Sequence, residues 1–270
     1  MDLEREALPL RGRGALVTGA SRRGGIGYAV ARRLAALGAG VVLHHFVPHD
    51  REQPYGAEPG GIAAVVDGVA AVRGDPDAVV GEVGADLSAP GAPARVVGAA
   101  AARLGRLDIL VSNHARNGAD GTLEAMTAEL LDGHWAVNTR SAILLAQAFA
   151  ARYDGGAGGR IVFLTSGQDL GPMPHEVAYA ASKGALASIT GTLADHLADR
   201  GITVNAVNPG PVDTGYATPD ARAAVARHFP GGRWGTPDDP ARLIAWLATD
   251  DAAWITGQVL NSEGGFRRGG

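Results

Sequence analysis

Tyr179 and Lys183 stand four residues apart in "AYAASKGAL", a stretch rich in helix formers. Residues at i and i+4 share one face of a helix, so the phenol and the ammonium would point into a common site. A free tyrosine titrates near 10, too high for proton transfer at neutral pH. Lowering it by three units takes ~4 kcal/mol of preferential phenolate stabilisation. A cation ~4 Å away in an effective dielectric of ~20 supplies about that much. Ser166 closes the apolar run "RIVFLTS", 13 residues before Tyr179, and its hydroxyl is suited to hydrogen-bond a reacting oxygen. Alone, a Y-x-x-x-K pair more often means a packed aromatic beside a solvated lysine. Its weight depends on the elements around it.

Those elements alternate. Short apolar runs at 15–18, 41–44, 79–83, 107–112, 160–165, 203–207 and 258–261 are separated by Ala/Leu-rich stretches near 26–37, 92–104, 127–152, 176–199 and 237–249. Strands with continuous rather than alternating apolar character are expected where helices cover both faces of a sheet. The pattern predicts a single-domain, Rossmann-type α/β fold over 1–270, a doubly wound parallel sheet of about seven strands flanked by helices. Two excursions stand outside the rhythm. The stretch "FVPHDREQPYGAEPGG" (46–61) carries three prolines and reads as a long surface loop, and 210–234 reads as a substrate-side segment. The closing "RRGG" reads as a frayed or packing terminus.

Bulk properties narrow the function classes. The chain has 270 residues, a net charge of −4 and a charged fraction of 19%. No clustered positive charge suggests nucleic-acid binding. There are no cysteines, so disulfides and thiolate metal sites are excluded. The N-terminal "MDLEREALPL" is charged and carries no signal-peptide pattern. No stretch approaches the ~20 apolar residues of a membrane span, so a cytoplasmic location is expected.

Several further motifs accompany the serine, tyrosine and lysine: "TGASRRGGIG" (18–27), "ADLS" (85–88), "ILVSNHA" (109–115), "VNTRSAILL" (137–145), "NAVNPGPVDT" (205–214) and "ITGQVLNSEGGF" (255–266). In this order and spacing the chain resembles the short-chain dehydrogenase/reductase family over nearly its whole length. It is closest in pattern to 3-oxoacyl-(acyl-carrier-protein) reductases. The resemblance implies hydride transfer between a nicotinamide and a carbonyl or alcohol carbon. It makes Tyr179 the acid–base group, Lys183 its tuning cation and ribose contact, Ser166 the carbonyl-orienting hydroxyl, and Asn138 the residue holding a relay water. It also implies a cofactor site along Gly19, Ser21, Arg22, Arg23, Gly25, Ile26, Gly27, His45, Asp86, Leu87, Asn113, Ala115, Pro209, Gly210, Val212 and Thr214. The family pattern departs at "SNHA": Ala115 replaces the usual glycine, and His114 reads as a loop histidine with no special role. A homo-oligomer, tetramer or dimer, is expected from the same resemblance, with a small-molecule or carrier-bound carbonyl substrate. Gln168, Leu170, Met173, His175, Tyr216 and the stretch 229–234 are expected to line the substrate side.

Cofactor choice turns on the glycine loop. An acid about 20 residues past it grips the ribose 2′-hydroxyl of NAD. Twenty residues past Gly25 stands His45, and the nearest acid is Asp50, inside 46–61. Arg22 and Arg23 are suited to pair with a 2′-phosphate. NADP(H) is therefore favoured, with NAD(H) open if the arginines are merely solvated. The run "HHFVPHD" invites a metal reading through His44, His45, His49 and Asp50, but neighbours on a strand face opposite ways, so no metal is expected. The alternatives to an NADPH-dependent reductase are an NAD-dependent alcohol dehydrogenase and a non-catalytic, cofactor-binding regulatory or scaffold protein.

Overall fold

Strand β1 (Gly14–Val17) is buried at every residue, as its unbroken apolar character requires. It pairs in parallel with β2 (Gly40–His45) on one side and β4 (Ile109–Ser112) on the other. With β3 (Val80–Gly84), β5 (Gly159–Leu164), β6 (Ile202–Asn208) and β7 (Val259–Asn261) it forms a seven-stranded parallel sheet in the order β3-β2-β1-β4-β5-β6-β7. The structure is a computed structural model and describes residues 7–155 and 158–268. The N-terminal charged stretch through residue 6 and the last two residues of "RRGG" lie outside the described residues.

Two apolar layers hold the sheet. One packs α1 (Ile26–Ala36), α3 (Gly61–Ala70) and α9 (Asp238–Leu247) against Val17, Val41, Leu43 and Val111. The other packs α4 (Ala92–Leu104), α6 (Ser141–Arg152) and α7 (Val177–Leu197) against Leu16, Leu110, Ile161 and Phe163. The strand order reverses between β1 and β4, so the two loops leaving their carboxyl ends diverge and open a crevice there. Glycine at position 14 is required by contact: a Cβ there would lie 2.2 Å from the Arg106 carbonyl oxygen. The Asp108 carboxylate accepts the Gly14 N–H at 2.8 Å and ties β1 to the start of β4.

The predicted strands and four of the five predicted helices are present with small shifts at their ends. Three differences matter. The stretch 127–152 is not one helix: α5 (Ala128–His134) and α6 are joined by a π-helical turn, Trp135–Arg140. Residues 46–61 are not a featureless loop, because they contain α2 (Val47–Glu52), whose Pro48 sits in the first turn, where no N–H is needed. Helices α3 and α8 (Pro219–Ala226) had no counterpart in the sequence reading. The first intersperses its alanines with Gly, Val and Ile, whose weaker helix propensity blurs the signal.

Candidate active site

Four side chains converge beside the crevice, delivered by three elements: the end of β5, the π turn and α7. Ser166 follows β5, and the hydroxyl of Tyr179 on α7 hydrogen-bonds its side chain. Lys183, one helical turn on, is buried, and its Nζ lies 5.7 Å from the Tyr179 ring centroid. That ammonium donates to the Leu164 carbonyl at 2.7 Å. Asn138 comes from the π turn, a local widening frequently found at functional sites. Its Oδ1 accepts the Arg116 N–H at 2.6 Å, and its Nδ2 donates to the Arg116 carbonyl at 3.1 Å and to Ser182 Oγ at 2.9 Å. Ser182 in turn donates to the Tyr179 carbonyl at 2.8 Å. A continuous hydrogen-bonded line therefore links the loop after β4, the π turn and the helix bearing Tyr179 and Lys183.

Asp120 is a part of this site that the sequence did not disclose. Its Oδ2 accepts the Tyr179 N–H at 2.7 Å and its Oδ1 accepts the Ala178 N–H at 3.1 Å. It caps α7 from 58 residues away, satisfying orphan donors of the first turn and placing negative charge at the positive helix end. No i→i+3 cap signature can show such a partner. Behind the phenol, His134 is fully buried and stands edge-on to the Tyr179 ring, centroids 6.4 Å apart.

Electrostatics differ from the expectation drawn from Tyr179 and Lys183 alone. Burial raises the phenol well above the ordinary tyrosine range, the Glu176 charge adds to this, and the Ser166 hydrogen bond opposes it. Burial also lowers the Lys183 ammonium to about 8. In the chain by itself desolvation outweighs the opposing Ser166 hydrogen bond, so the phenol holds its proton.

The residues expected around a dinucleotide surround the carboxyl ends of β1, β2, β3, β4 and β6. Gly19 has φ +67°, and a Cβ on it would lie 2.6 Å from His114 Cα. A Cβ on Gly27 would lie 2.6 Å from the Gly19 oxygen. Asn113 Nδ2 donates to the carbonyls of Thr18 and Gly19, 2.9 Å each, and fixes the turn. Gly25 is the extended residue before α1, and Ile26 opens the helix, so unpaired N–H groups point out of a cradle kept open by glycine. That cradle fits a pyrophosphate. Ser21 is half-buried in the same turn, Leu87 is buried, and exposed Asp86 accepts the Ser88 N–H at 2.8 Å. Ala115 is half-buried after β4. Pro209, Gly210 and Thr214 follow β6, with Val212 buried and bridged to Gly235.

Three expectations need correction. His114 is not an idle loop residue: it is buried, and its ring nitrogens meet Thr18 Oγ1 at 2.7 Å and Ser141 Oγ at 2.6 Å. His45 leans away from the turn, bonding Glu82 at 2.8 Å over Gly84. Arg22 and Arg23 are not free: Arg23 pairs with Glu58 at 2.7 Å, and Asp50 comes within 3.8 Å of Arg22. The histidines of "HHFVPHD" diverge, to the Ala85 carbonyl, Glu82 and Asn117 respectively. A cavity of about 980 Å³ runs along α1 from Arg22, Arg23 and Thr214 to Asp238, and none of the four catalytic candidates lines it. On the substrate side, Gln168 Oε1 accepts the Ser166 N–H at 3.1 Å, and Tyr216 meets Trp234 edge-on at 5.8 Å.

A parallel sheet with a glycine cradle at its crossover, and a Ser–Tyr–Lys–Asn cluster beside it, defines a nicotinamide-dependent oxidoreductase. Residues 19–267 match the family described as enoyl-(acyl carrier protein) reductase. The uncharacterized oxidoreductase YjdA of Bacillus subtilis is 43% identical over 257 residues, covering 94% of this chain and 97% of that protein. The 3-oxoacyl-[acyl-carrier-protein] reductase FabG of Escherichia coli is 33% identical, covering 94% and 97%. A short-chain dehydrogenase from Burkholderia cenocepacia, solved in complex with NADP, superposes with a TM-score of 0.82 at 36% identity, covering 95% of this chain and 98% of that one. The chain belongs to the short-chain dehydrogenase/reductase family.

Proposed function

We propose that the protein is an NADPH-dependent reductase of a carbonyl compound, a 3-oxoacyl thioester or a related ketone, with Tyr179 as the proton donor. The observation that carries this reading is the hydrogen-bonded line Arg116–Asn138–Ser182–Tyr179, with Ser166 on the Tyr179 hydroxyl and the Lys183 ammonium 5.7 Å from its ring. A nicotinamide bound in the crevice would supply the hydride; the chain supplies position and the proton. A phenol held protonated by burial and by Glu176 is in the state a donor needs. As it gives up its proton, Lys183 is the nearby cation that offsets the phenolate charge. Ser166 orients the substrate oxygen, and Asn138 keeps the π turn against the loop after β4.

NADPH is preferred on two grounds: β2 ends without an acid, and Arg22 and Arg23 stand at the glycine turn. The NADP complex of the Burkholderia relative is consistent with this. The second reading, an NAD-dependent alcohol dehydrogenase, is favoured by one observation, the carboxylates already beside both arginines. The same proposal includes a homo-oligomer, since Leu131 and Trp135 are exposed at the junction of α5 and the π turn.

The test is cofactor oxidation followed at 340 nm, with NADPH and NADH against 3-oxoacyl thioesters, diketones and quinones. Tyr179→Phe should lower turnover by about 100-fold or more while sparing cofactor affinity. Full activity in that variant would overturn the mechanism. Tight binding of both cofactors without turnover across the panel would favour a scaffold.

A further inference from the structure

Residues 46–61 leave the end of β2 and cross the mouth of the crevice. The His49 ring bonds Asn117 Oδ1 at 3.0 Å, in the loop after β4. The Tyr55 ring lies 3.6 Å below the Arg22 guanidinium, and a Cβ on Gly215 would lie 3.8 Å from Tyr55 Cβ. Arg22 Nη2 donates to the Thr214 carbonyl at 3.2 Å. Glu58 accepts the Arg23 N–H at 3.0 Å and its Nε–H at 2.8 Å. The excursion therefore touches the loops after β1, β4 and β6, and it returns two carboxylates to the glycine turn.

We propose that Asp50 and Glu58 set the choice between 2′-phosphorylated and unphosphorylated dinucleotides. This rests on the proposed reading that a dinucleotide lies in the glycine turn. Asp50 is only 5% exposed, and its Oδ2 has no hydrogen-bond partner among the described residues. Its Oδ1 is 3.8 Å from Arg22 Nε, an ion pair without a hydrogen bond. The buried carboxylate is thus half-satisfied and faces the arginine that a 2′-phosphate would use. The Glu58 carboxylate is also largely buried, and it occupies the donors that Arg23 would offer.

A dianionic phosphate must share each guanidinium with a fixed carboxylate and tolerate its charge at close range. A ribose hydroxyl faces neither cost, because it brings no charge against Asp50 or Glu58. The acid missing from the end of β2 is present in space, brought back by the excursion. It moderates the preference that two arginines would otherwise confer.

Dissociation constants for NADPH and NADH, measured by fluorescence titration of the full chain, test this without turnover. In Glu58→Gln and in Asp50→Asn, the ratio Kd(NADH)/Kd(NADPH) should rise about fivefold or more, and the rise should shrink at high salt. A purely structural role would weaken both cofactors together and leave the ratio unchanged. An unchanged ratio in both variants, or a shift toward NADH in either, overturns the proposal. If Asp50→Asn does not fold, Glu58→Gln decides alone, because its partner Arg23 is half exposed and the substitution keeps the side chain's size. The Tyr179→Phe comparison is indifferent to this ratio, so either reading can fail without the other.

Discussion

Two buried histidines should make the cofactor-free protein lose stability between pH 6.5 and 5, before its lowered carboxylates begin to titrate. His44 joins the glycine turn to the loop after β3: Nδ1 accepts the Gly19 N–H at 3.3 Å, and Nε2 donates to the Ala85 carbonyl at 2.9 Å. His114 joins Thr18 to Ser141 at the π turn. The rings meet edge-on with centroids 6.2 Å apart. Burial lowers His44 to about 4 and His114 to about 3; neighbouring charge adds to this, from His45 on His44 and from His44 on His114. The unfolded chain keeps histidine near 6.5. Both folded values are depressed, so the unfolded state binds protons first. The stabilisation is complete above 6.5 and is lost as the pH falls toward the folded values. At pH 5 the loss is about 2 kcal/mol per histidine, or about 4 kcal/mol for the pair. That is a large part of a typical stability of 5–15 kcal/mol. Glu58, Asp120, Asp238 and Asp239 are all lowered carboxylates, so their contribution falls away only below about pH 4.5. Chemical denaturation at pH 7, 6 and 5 and fixed ionic strength measures the slope. His114→Gln should start lower at pH 7 and lose about 2 kcal/mol less on reaching pH 5. Parallel curves for the variant and the parent would refute the assignment.

Other perturbations separate the cradle from the catalytic helix. Gly27→Ala puts a Cβ 2.6 Å from the Gly19 oxygen and 2.7 Å from Asn113 Nδ2, so cofactor affinity should fall about tenfold or more; Gly24→Ala, with nothing nearer than 3.7 Å, should stay within about twofold by the same titration. Asp120→Ala removes the acceptor of the Tyr179 and Ala178 N–H groups and should cost about 1–2 kcal/mol in denaturation, with kcat falling more than cofactor affinity. Asp250→Ala strips the partner from Arg160, buried at 3% exposure, and should destabilise by about 1–3 kcal/mol while leaving kinetics at folded concentrations unchanged.

What the sequence disclosed followed how narrowly chemistry or burial restricts residue type. Strands covered on both faces must be continuously apolar, so β1, β4 and β5 were legible to within a residue or two. The Ser166–Tyr179–Lys183 set was legible because few residue types move protons at a carbonyl, and the surrounding motifs fixed the frame. The π turn was not legible, since shifting backbone bonds by one residue leaves the Ala/Leu pattern of 127–152 intact. The phenol's direction of shift was missed for a related reason: the lysine's attraction can be inferred from spacing, but the opposing desolvation depends on burial built by other elements.

The glycine turn concentrates the same difficulty. Along the chain, "TGASRRGGIG" followed twenty residues later by His45 argues that no acid opposes a phosphate. In space, α2 turns the chain back after β2, and the Arg23–Glu58 and Arg22–Tyr55 contacts hold it there. Contacts across 35 residues have no periodicity and no fixed offset. A stretch with three prolines therefore reads as a loop even when its side chains are committed. The count of residues between a turn and an acid measures cofactor preference only when the strand after the turn leads directly away. Here it does not, and the arginines' partners decide what they can still bind.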